Sequence, residues 1–522
     1  MISPAQVFSA HLLAALSELE VSDVFVAPGS RSQSLAIAAQ QLHDANRLTL
    51  RVRIDERSMA FTALGVAKAS GRPVVIITTS GTAVANLHPA VLESHHSGVP
   101  LILLTADRPK QLRGVGANQT TNQVGIFADA VRVCEDIDAS TDPTDTESVR
   151  ALAERTVSKA LGTNQSRPGP VQLNLCFREP LSSLEPNAGD TYTGAELPIE
   201  DLVTPTFAVL EESKNTVVIA GADAGLEALE AAEAFGWPVF AEPSSRCRMG
   251  ANAIVGYPIL LSQEESLSAG IERVVVYGKP TLSREVQKLI ARNEVELVVV
   301  NSSLMGPFNP YGNASSTVDE VTVTGEANSE WLARWRVAAH NWLSTQSAES
   351  GLTRRKIVEL VYEVSELDDS IVLGASRMIR EADIWAPSKP IQVFANRGLA
   401  GIDGTVATAT GIALGADGAF TRVILGDLTL IHDASSMIED REEKLNLQLI
   451  VVNDQGGSLF EKLEVFDVVE EAVFDRVFRA GQKIDFWSLA NAYGYVYICP
   501  SNEQELLAAL TTKGRVLIEL KL

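Results

Sequence analysis

The chain has 522 residues, beyond the size at which one hydrophobic core keeps growing, so two to four domains are expected. Its 43 Lys and Arg against 66 Asp and Glu leave a formal charge of −23, which argues against a nucleic-acid partner, because that demands a basic surface. No run of about 18 uninterrupted apolar residues occurs, so no membrane span is expected; the start Met1-Ile2-Ser3-Pro4-Ala5-Gln6 lacks the pattern of a signal peptide, and a cytoplasmic location is expected.

Short β-branched runs alternate with helical stretches along the chain, the pattern of an α/β fold with mostly parallel sheets covered by helices on both faces. Three consecutive domains are expected. In the first, residues 1–185, the predicted strands are Val24–Ala27, Val74–Ile77, Leu101–Leu104 and Val171–Leu175. Ser30 and Arg31 follow the first strand in Ala27-Pro28-Gly29-Ser30-Arg31-Ser32, and Arg108 follows the third. Between them Arg51-Val52-Arg53-Ile54-Asp55-Glu56-Arg57 leads into an Ala/Gly-rich apolar helical stretch. That setting would hold the Glu56 carboxylate in a largely dry place and raise its pKa; an exposed acid favoured in the first turn by the helix dipole is the simpler alternative.

The polar stretch Glu185-Pro186-Asn187-Ala188-Gly189-Asp190 leads to a central α/β domain, residues 186–345, with strands Val217–Ala220, Val274–Tyr277 and Leu297–Val300. Gly221-Ala222-Asp223-Ala224-Gly225 follows its first strand. A strand-to-helix turn is the favoured reading of it over a nucleotide site, since the full dinucleotide fingerprint is missing. A second polar stretch, Ser344 to Gly351, precedes the third domain, residues 346–522, with strands Ile371–Leu373, Ile391–Phe394, Arg422–Leu425, Leu449–Val452 and Val516–Leu520.

Two acidic points end two of these strands: Gly426-Asp427 and Asn453-Asp454-Gln455-Gly456-Gly457. If both strands are parallel neighbours, the carboxylates emerge side by side at the carboxyl edge of one sheet, where α/β proteins bind ligands. Asp427, Asp454 and a backbone carbonyl of the glycine turn, at Gly456, would offer a divalent cation hard oxygen ligands, with other positions left for diphosphate and water. Mg²⁺ and Mn²⁺ both suit such a set. Helix capping is the alternative reading of either acid alone. The cysteines Cys134, Cys176, Cys247 and Cys499 are scattered and are expected to be small buried hydrophobes. No histidine pair has a metal-ligand spacing.

The acidic pair resembles the Gly-Asp-Gly…Asn-Asn motif of thiamine-diphosphate enzymes, with Leu428 in place of the last glycine and Asp454 in place of the second asparagine. The resemblance implies a pyrimidine-binding first domain, a central domain and a diphosphate- and metal-binding third domain. It also implies that the cofactor lies between the first domain of one subunit and the third of another, so that a homodimer or a dimer of dimers is expected. Glu56 would hydrogen-bond N1′ of the aminopyrimidine and act as the catalytic acid at the cofactor. Gly426, Asp427, Leu428, Asp454 and Gly456 would face the diphosphate and metal. Ile402 would hold the bend of the cofactor, and Phe460 would pack near the thiazolium.

Beyond the superfamily, several motifs closely resemble those of the 2-succinyl-5-enolpyruvyl-6-hydroxy-3-cyclohexene-1-carboxylate synthases of menaquinone biosynthesis. They are the Ser30-Arg31 and Glu56 segments, Thr79-Ser80-Gly81-Thr82, Gly116-Ala117-Asn118-Gln119, Asn396-Arg397-Gly398-Leu399-Ala400-Gly401-Ile402 and Gly426-Asp427-Leu428-Thr429. That family decarboxylates 2-oxoglutarate and adds the resulting four-carbon carbanion to isochorismate. Both are dianions, which arginines can orient by bidentate pairing. By the same resemblance Ser30, Arg31, Arg108, Asn118, Gln119, Arg284, Ser376, Arg380 and Arg397 are the substrate-pocket candidates. A different thiamine enzyme acting on small apolar oxoacids is the nearer rival, and it would need fewer arginines; a noncatalytic paralogue, which would lose Glu56 or a metal ligand, is the more distant one.

Overall fold

β-branched residues packed on both faces produce three largely buried parallel sheets in the computed structural model. It describes residues 3–139, 146–162, 167–183, 205–301, 306–325, 329–347, 350–438 and 443–522. The linker residues 185–190 lie outside the described residues, as do 348 and 349 of the second polar stretch.

The first sheet contains β1 (Asp23–Val26), β2 (Thr49–Val52), β3 (Val74–Thr78), β4 (Leu101–Asp107), β5 (Cys134–Asp138) and β6 (Pro170–Cys176), in the order β2-β1-β3-β4-β6-β5. Side chains alternate between two cores, as the pleat requires. Val24, Val75, Ile77, Ile102 and Leu104 pack with the helices Pro4–Glu18 and Thr146–Leu161. Phe25, Val74, Ile76, Leu101 and Leu103 pack with the helices Glu56–Ser70 and His88–Ser97.

The central sheet joins β8 (Thr216–Ala220), β9 (Val239–Ala241), β10 (Arg273–Tyr277), β11 (Glu296–Val300) and β12 (Ser316–Val318) in the order β12-β11-β10-β8-β9. A separate parallel pair is formed by β7 (Phe207–Glu211) and β13 (Glu320–Thr324). The third sheet contains β14 (Ser370–Leu373), β15 (Gln392–Phe394), β16 (Phe420–Gly426), β17 (Asn446–Asn453), β18 (Val496–Ile498) and β19 (Arg515–Lys521), in the order β15-β14-β16-β17-β19-β18. Counted from its own first strand, this order is the same as that of the first sheet. In both, the chain reverses its direction of travel across the sheet beside the first strand, between β1 and β3 and between β14 and β16. Loops at such a switch point diverge and leave a crevice for ligands.

By compactness the chain forms two units. The first comprises Met1–Val203, Gly398–Gly415 and Asp433–Glu443; the second comprises Thr204–Arg397, Ala416–His432 and Lys444–Leu522. Within the first unit the helix Thr405–Leu414 runs alongside Glu56–Ser70, and glycines permit the close approach: a Cβ on Gly65 would lie 2.1 Å from the Thr408 carbonyl oxygen, and one on Gly411 would lie 2.1 Å from that of Thr62. Arg53 and Arg51 reach Glu443 of the same unit at 2.7 and 3.4 Å.

Every strand expected from the sequence forms, within a few residues at each end. The unexpected ones are short, polar or at sheet edges. β5 reads Cys-Glu-Asp-Ile-Asp, and β9 and β12 have three residues each. The cysteines meet the expectation in part: Cys176 and Cys247 are buried, although the Cys176 thiol sits among charges beside Arg113 and Asp136, whereas Cys134 is half-buried and Cys499 is exposed.

Candidate active site

Strands β16 and β17 are parallel neighbours with Gly426 opposite Val452, so Asp427 and Asp454 each stand one residue past the end of adjoining strands. Asp427 begins the helix Asp427–His432 and is 2% exposed. Its carboxylate accepts from the backbone N–H groups of Leu428 and Gly456. Burial pushes its pKa up to about 6, and the neighbouring Asp454 charge adds to the rise, outweighing those amides. The three residues expected to hold a metal therefore converge. The glycine is required where it stands: Gly456 has φ +133°, and a Cβ there would lie 2.3 Å from the Arg479 carbonyl oxygen.

Asp454 is also held by two groups that its sequence context did not announce. Arg354, first residue of the helix Arg354–Val364, donates from Nη2 at 2.5 Å, and the Ser458 hydroxyl donates to the same carboxylate oxygen. Arg354 lies 100 residues earlier, so no local motif links it to Asp454. Behind this turn, Glu519 is buried and accepts from Asn453 Nδ2 at 2.6 Å, while Asn453 Oδ1 accepts from the Gln455 amide at 3.2 Å. Phe460 lies in the short helix Ser458–Lys462 with its ring 5.9 Å from that of Phe478.

Ser376 follows β14, beside β16, and caps the helix Arg377–Trp385 through a bond from the Met378 amide. Arg380 donates to the Ser376 carbonyl at 3.1 Å. Burial lowers the Arg380 pKa, and the nearby charges of Arg397 and Arg284 lower it further. Arg380 thus stands near two other predicted pocket arginines within the second unit, an arrangement that favours an anion. Arg397 is 6% exposed and donates from Nη2 to Thr281 Oγ1 at 2.5 Å; its buried Nε has no hydrogen-bond partner among the described residues. Arg284 is exposed and pairs with Glu464 at 3.5 Å.

A second cationic group lies in the first unit, at the switch point of the first sheet. Arg31, after β1, is half-buried, and burial lowers its pKa, with Arg108 the next cause. Arg108, after β4, donates from Nη1 to Ser80 Oγ at 2.9 Å and to the Gln119 carbonyl at 3.0 Å. Gln119 Nε2 returns a bond to the Ser80 carbonyl at 2.9 Å. Ser30 and Asn118 are exposed beside Arg31 and Gln119 respectively. Gly29 allows the loops to meet, since a Cβ there would lie 2.3 Å from Thr79 Cβ.

Underneath sits a network that sequence reasoning missed. Arg113 pairs with Asp107 and Asp136, each at 2.9 Å, and Asn174 donates to both of those acids. Gln123 accepts from the Gly81 amide at 2.9 Å.

Glu56 opens the helix Glu56–Ser70, whose N-cap Asp55 accepts from the Arg57 and Ser58 amides. The body of that helix is buried, but Glu56 is only half-buried, short of the dry setting expected. Asp433 fastens the neighbouring helix: its Oδ2 accepts from the Val406 and Ala407 amides at 2.8 and 3.1 Å, and its Oδ1 lies 3.0 Å from Arg57 Nη2. Ile402 lies in the turn before that helix and is half-buried. The turn is anchored by Glu93, which accepts from the Gly398 and Leu399 amides at 2.7 and 2.8 Å. Glu56 and Ile402 belong to the first unit, and Asp427, Asp454, Gly456 and Phe460 to the second. The His95 ring contacts the Ala130 carbonyl at 3.0 Å and stacks edge-on with His96, a packing role.

The donors fit a hard cation bearing a diphosphate. No group of three His, Cys, Asp or Glu side chains able to hold a metal occurs among the described residues, so side chains alone do not close a coordination sphere. Two carboxylates and a backbone oxygen leave positions for phosphate and water, as Mg²⁺ sites usually do. A cation beside the buried Asp427 carboxylate would offset the cost of its burial and of the neighbouring Asp454 charge.

Two family models match the chain: the N-terminal TPP binding domain of thiamine pyrophosphate enzymes over residues 7–126, and their C-terminal TPP binding domain over residues 374–520. The chain is 41% identical to the 2-succinyl-5-enolpyruvyl-6-hydroxy-3-cyclohexene-1-carboxylate synthase of Leifsonia xyli subsp. xyli, over 98% of this chain and 94% of that protein. It is 42% identical to the synthase of the same name from Kineococcus radiotolerans, over 98% and 95%, and 40% identical to that of Clavibacter michiganensis subsp. michiganensis, over 96% and 93%.

Proposed function

The chain belongs to the 2-succinyl-5-enolpyruvyl-6-hydroxy-3-cyclohexene-1-carboxylate synthase family of thiamine-diphosphate enzymes, and from that premise we propose that it decarboxylates 2-oxoglutarate and joins the remaining four carbons to isochorismate by 1,4-addition, as a carbon–carbon bond-forming transferase of menaquinone biosynthesis. The observation that carries this reading is the pairing of Asp427 and Asp454 on adjoining strands in the same unit as the Arg284, Arg380 and Arg397 cluster. The first is suited to a metal diphosphate and the second to a polyanionic substrate.

Asp427, Asp454 and the Gly456 carbonyl would hold Mg²⁺ or Mn²⁺, with Gly426 and Leu428 beside the diphosphate and Ile402 and Phe460 against the rings. When bound, thiamine diphosphate supplies the electron sink that decarboxylation needs. Glu56 holds a proton at N1′ of the aminopyrimidine, the one acid–base role assigned to the protein. Arg31, Arg108 and Gln119, flanked by Ser30 and Asn118, form one carboxylate-binding group, and Arg284, Arg380 and Arg397 with Ser376 form another. Guanidinium pairing fixes orientation as well as charge, as a reaction between two bound acids requires.

The division into a pyrimidine-binding domain (1–185), a central domain (186–345) and a diphosphate-binding domain (346–522) belongs to the same reading. So does a homodimer or dimer of dimers in the cytoplasm. No helix of the described residues is long and apolar enough to cross a membrane. The test is carbon dioxide release from 2-oxoglutarate by the purified protein with thiamine diphosphate and Mg²⁺, with and without isochorismate. Release that rises as the ring-diene absorbance of isochorismate disappears is expected; release from pyruvate but not 2-oxoglutarate would keep the cofactor and remove the substrates.

A further inference from the structure

The central domain carries no predicted cofactor residue, yet one of its residues takes part in a costly feature. Glu242, after β9, is 2% exposed, and beside it lies Asp383 of the helix Arg377–Trp385, also 2% exposed. Two carboxylates buried together cost more than apolar side chains of the same volume. Burial drives the Glu242 pKa up and Asp383 adds to the rise, opposed by Arg397 and by two backbone amides. Tyr257 donates to Asp383 at 2.6 Å, and Arg248 lies 3.9 Å from the same oxygen.

The two amides give this acid its direction. Glu242 Oε1 accepts from the N–H groups of Thr281 and Leu282 at 2.6 and 2.7 Å, in the loop after β10 that leads into the helix starting at Arg284. The Thr281 hydroxyl is in turn the acceptor for Arg397 Nη2. The other side of the loop is fixed by Gly221 and Ala222. Ala222 exchanges backbone bonds with Lys279 at 3.1 and 3.2 Å, and a Cβ on Gly221 would lie 2.0 Å from the Pro280 nitrogen. The Gly221–Gly225 turn therefore packs directly on the Lys279–Pro280 segment, as a strand-to-helix turn.

We infer that Glu242 is a positioning residue: by holding the Thr281 and Leu282 amides it sets the loop that presents Arg397 and Arg284 to an anionic substrate. Arg248 extends the same device, binding the Asp383 and Ala386 carbonyls at the end of the helix that carries Arg380. The central domain thereby orients all three arginines. The inference rests on the proposed substrate role of that cluster.

Its test compares Glu242→Gln, which keeps an acceptor oxygen of the same shape, with Glu242→Ala, which removes it. Hydrogen exchange followed by mass spectrometry reads the Thr281 and Leu282 amides directly, whatever the enzyme acts on. Exchange there is expected to rise roughly tenfold or more in the Ala variant, for loss of a buried acceptor, and to stay near the parent rate in the Gln variant. The KM for one of the two acids should rise by a similar factor in the Ala variant, with kcat and the affinity for thiamine diphosphate within about threefold, the pattern of lost ground-state binding. Thr281→Val should raise the same KM by a smaller factor. Unchanged exchange in Glu242→Ala, or faster exchange with an unchanged KM, overturns the inference. If Glu242→Ala does not fold, faster exchange in Glu242→Gln or an unchanged KM in Thr281→Val overturns it. A parent protein without carbon dioxide release from 2-oxoglutarate refutes the proposed reaction instead, and the exchange arm then decides only whether Glu242 sets the Thr281–Leu282 loop.

Discussion

Arg354 donates to the Asp454 carboxylate at 2.5 Å, and the two side chains are 21% and 13% exposed. The guanidinium thus supplies the positive charge that a divalent cation would supply to the same acid. Two carboxylates without it attract a cation more strongly, because ligand charge tunes affinity at oxygen sites.

Arg354→Gln is therefore expected to tighten Mn²⁺ binding, by roughly tenfold if the partly buried pair contributes on the order of 1.4 kcal/mol. Titration of the cofactor-free protein with Mn²⁺, followed by electron paramagnetic resonance, reads this without turnover. Weaker binding in the variant would mean that Arg354 shapes the metal turn rather than competing with the metal.

Glu56→Gln is expected to lower kcat by about 10² to 10⁴, the usual contribution of a positioned proton-transfer group. Glu56 is half-buried at the first position of its helix, and the N-cap bonds of that helix come from Asp55. Thermal stability should therefore stay close to that of the parent. Carbon dioxide release from 2-oxoglutarate and a melting curve together check this; equal loss of both would point to a structural role.

The acid pair was legible because strand ends carry their own signal: an apolar run, then Gly-Asp or Asn-Asp, fixes where a carboxylate emerges from a parallel sheet. The arginines following strands were legible for the same reason. What holds these residues was not. Arg354 reaches Asp454, Glu93 reaches Gly398, and Glu242 reaches Thr281 across long stretches of sequence, and a buried acid that accepts from distant amides looks in sequence like any surface acid. The edge strand β5 escaped for a related reason: three of its five residues are acids, and their charge is accounted for only once Arg113, Arg155 and Arg178 are seen beside them.

Asp136 on that strand carries a pH dependence. Burial alone would raise its pKa, but hydrogen bonds from Arg113, Asn174 and Lys110 outweigh burial and hold it well below the usual carboxylate range. A carboxylate depressed in the folded state stabilises the fold above its unfolded pKa of about 4 and loses that contribution as the pH falls towards the folded value. Asp136→Asn should cost about 1–3 kcal/mol at pH 7, the scale of hydrogen bonds to a charged group. It should also flatten the loss of stability below about pH 4. Urea denaturation from pH 7 to pH 2 makes the comparison, and parallel curves for parent and variant would remove Asp136 as a source of the acid sensitivity.

The packing of Glu56–Ser70 against Thr405–Leu414 makes the sharpest stability prediction. Alanine is favoured over glycine inside a helix by about 1 kcal/mol, so Gly65→Ala and Gly411→Ala would each stabilise an isolated helix. Here each new Cβ would stand 2.1 Å from a carbonyl oxygen of the facing helix, and backbone cannot rotate aside as a side chain can. The helices must separate, disturbing the bonds that the Val406 and Ala407 amides donate to Asp433. Overpacking of this kind costs about 1–3 kcal/mol, and contact with backbone that cannot yield places it at the upper end, which leaves a net cost of about 2 kcal/mol after the propensity gain. Gly71 serves as the control: it ends the first helix at φ +70° with nothing within 4 Å of its Cβ position, so Gly71→Ala should cost about 1 kcal/mol through backbone strain alone. Denaturation should rank the parent first, then Gly71→Ala, then Gly65→Ala. Activity should fall in Gly65→Ala, whose helix carries Glu56 at its start, and stay near the parent value in Gly71→Ala at the far end. A Gly65→Ala protein as stable as the parent would mean that the two helices do not meet at Gly65.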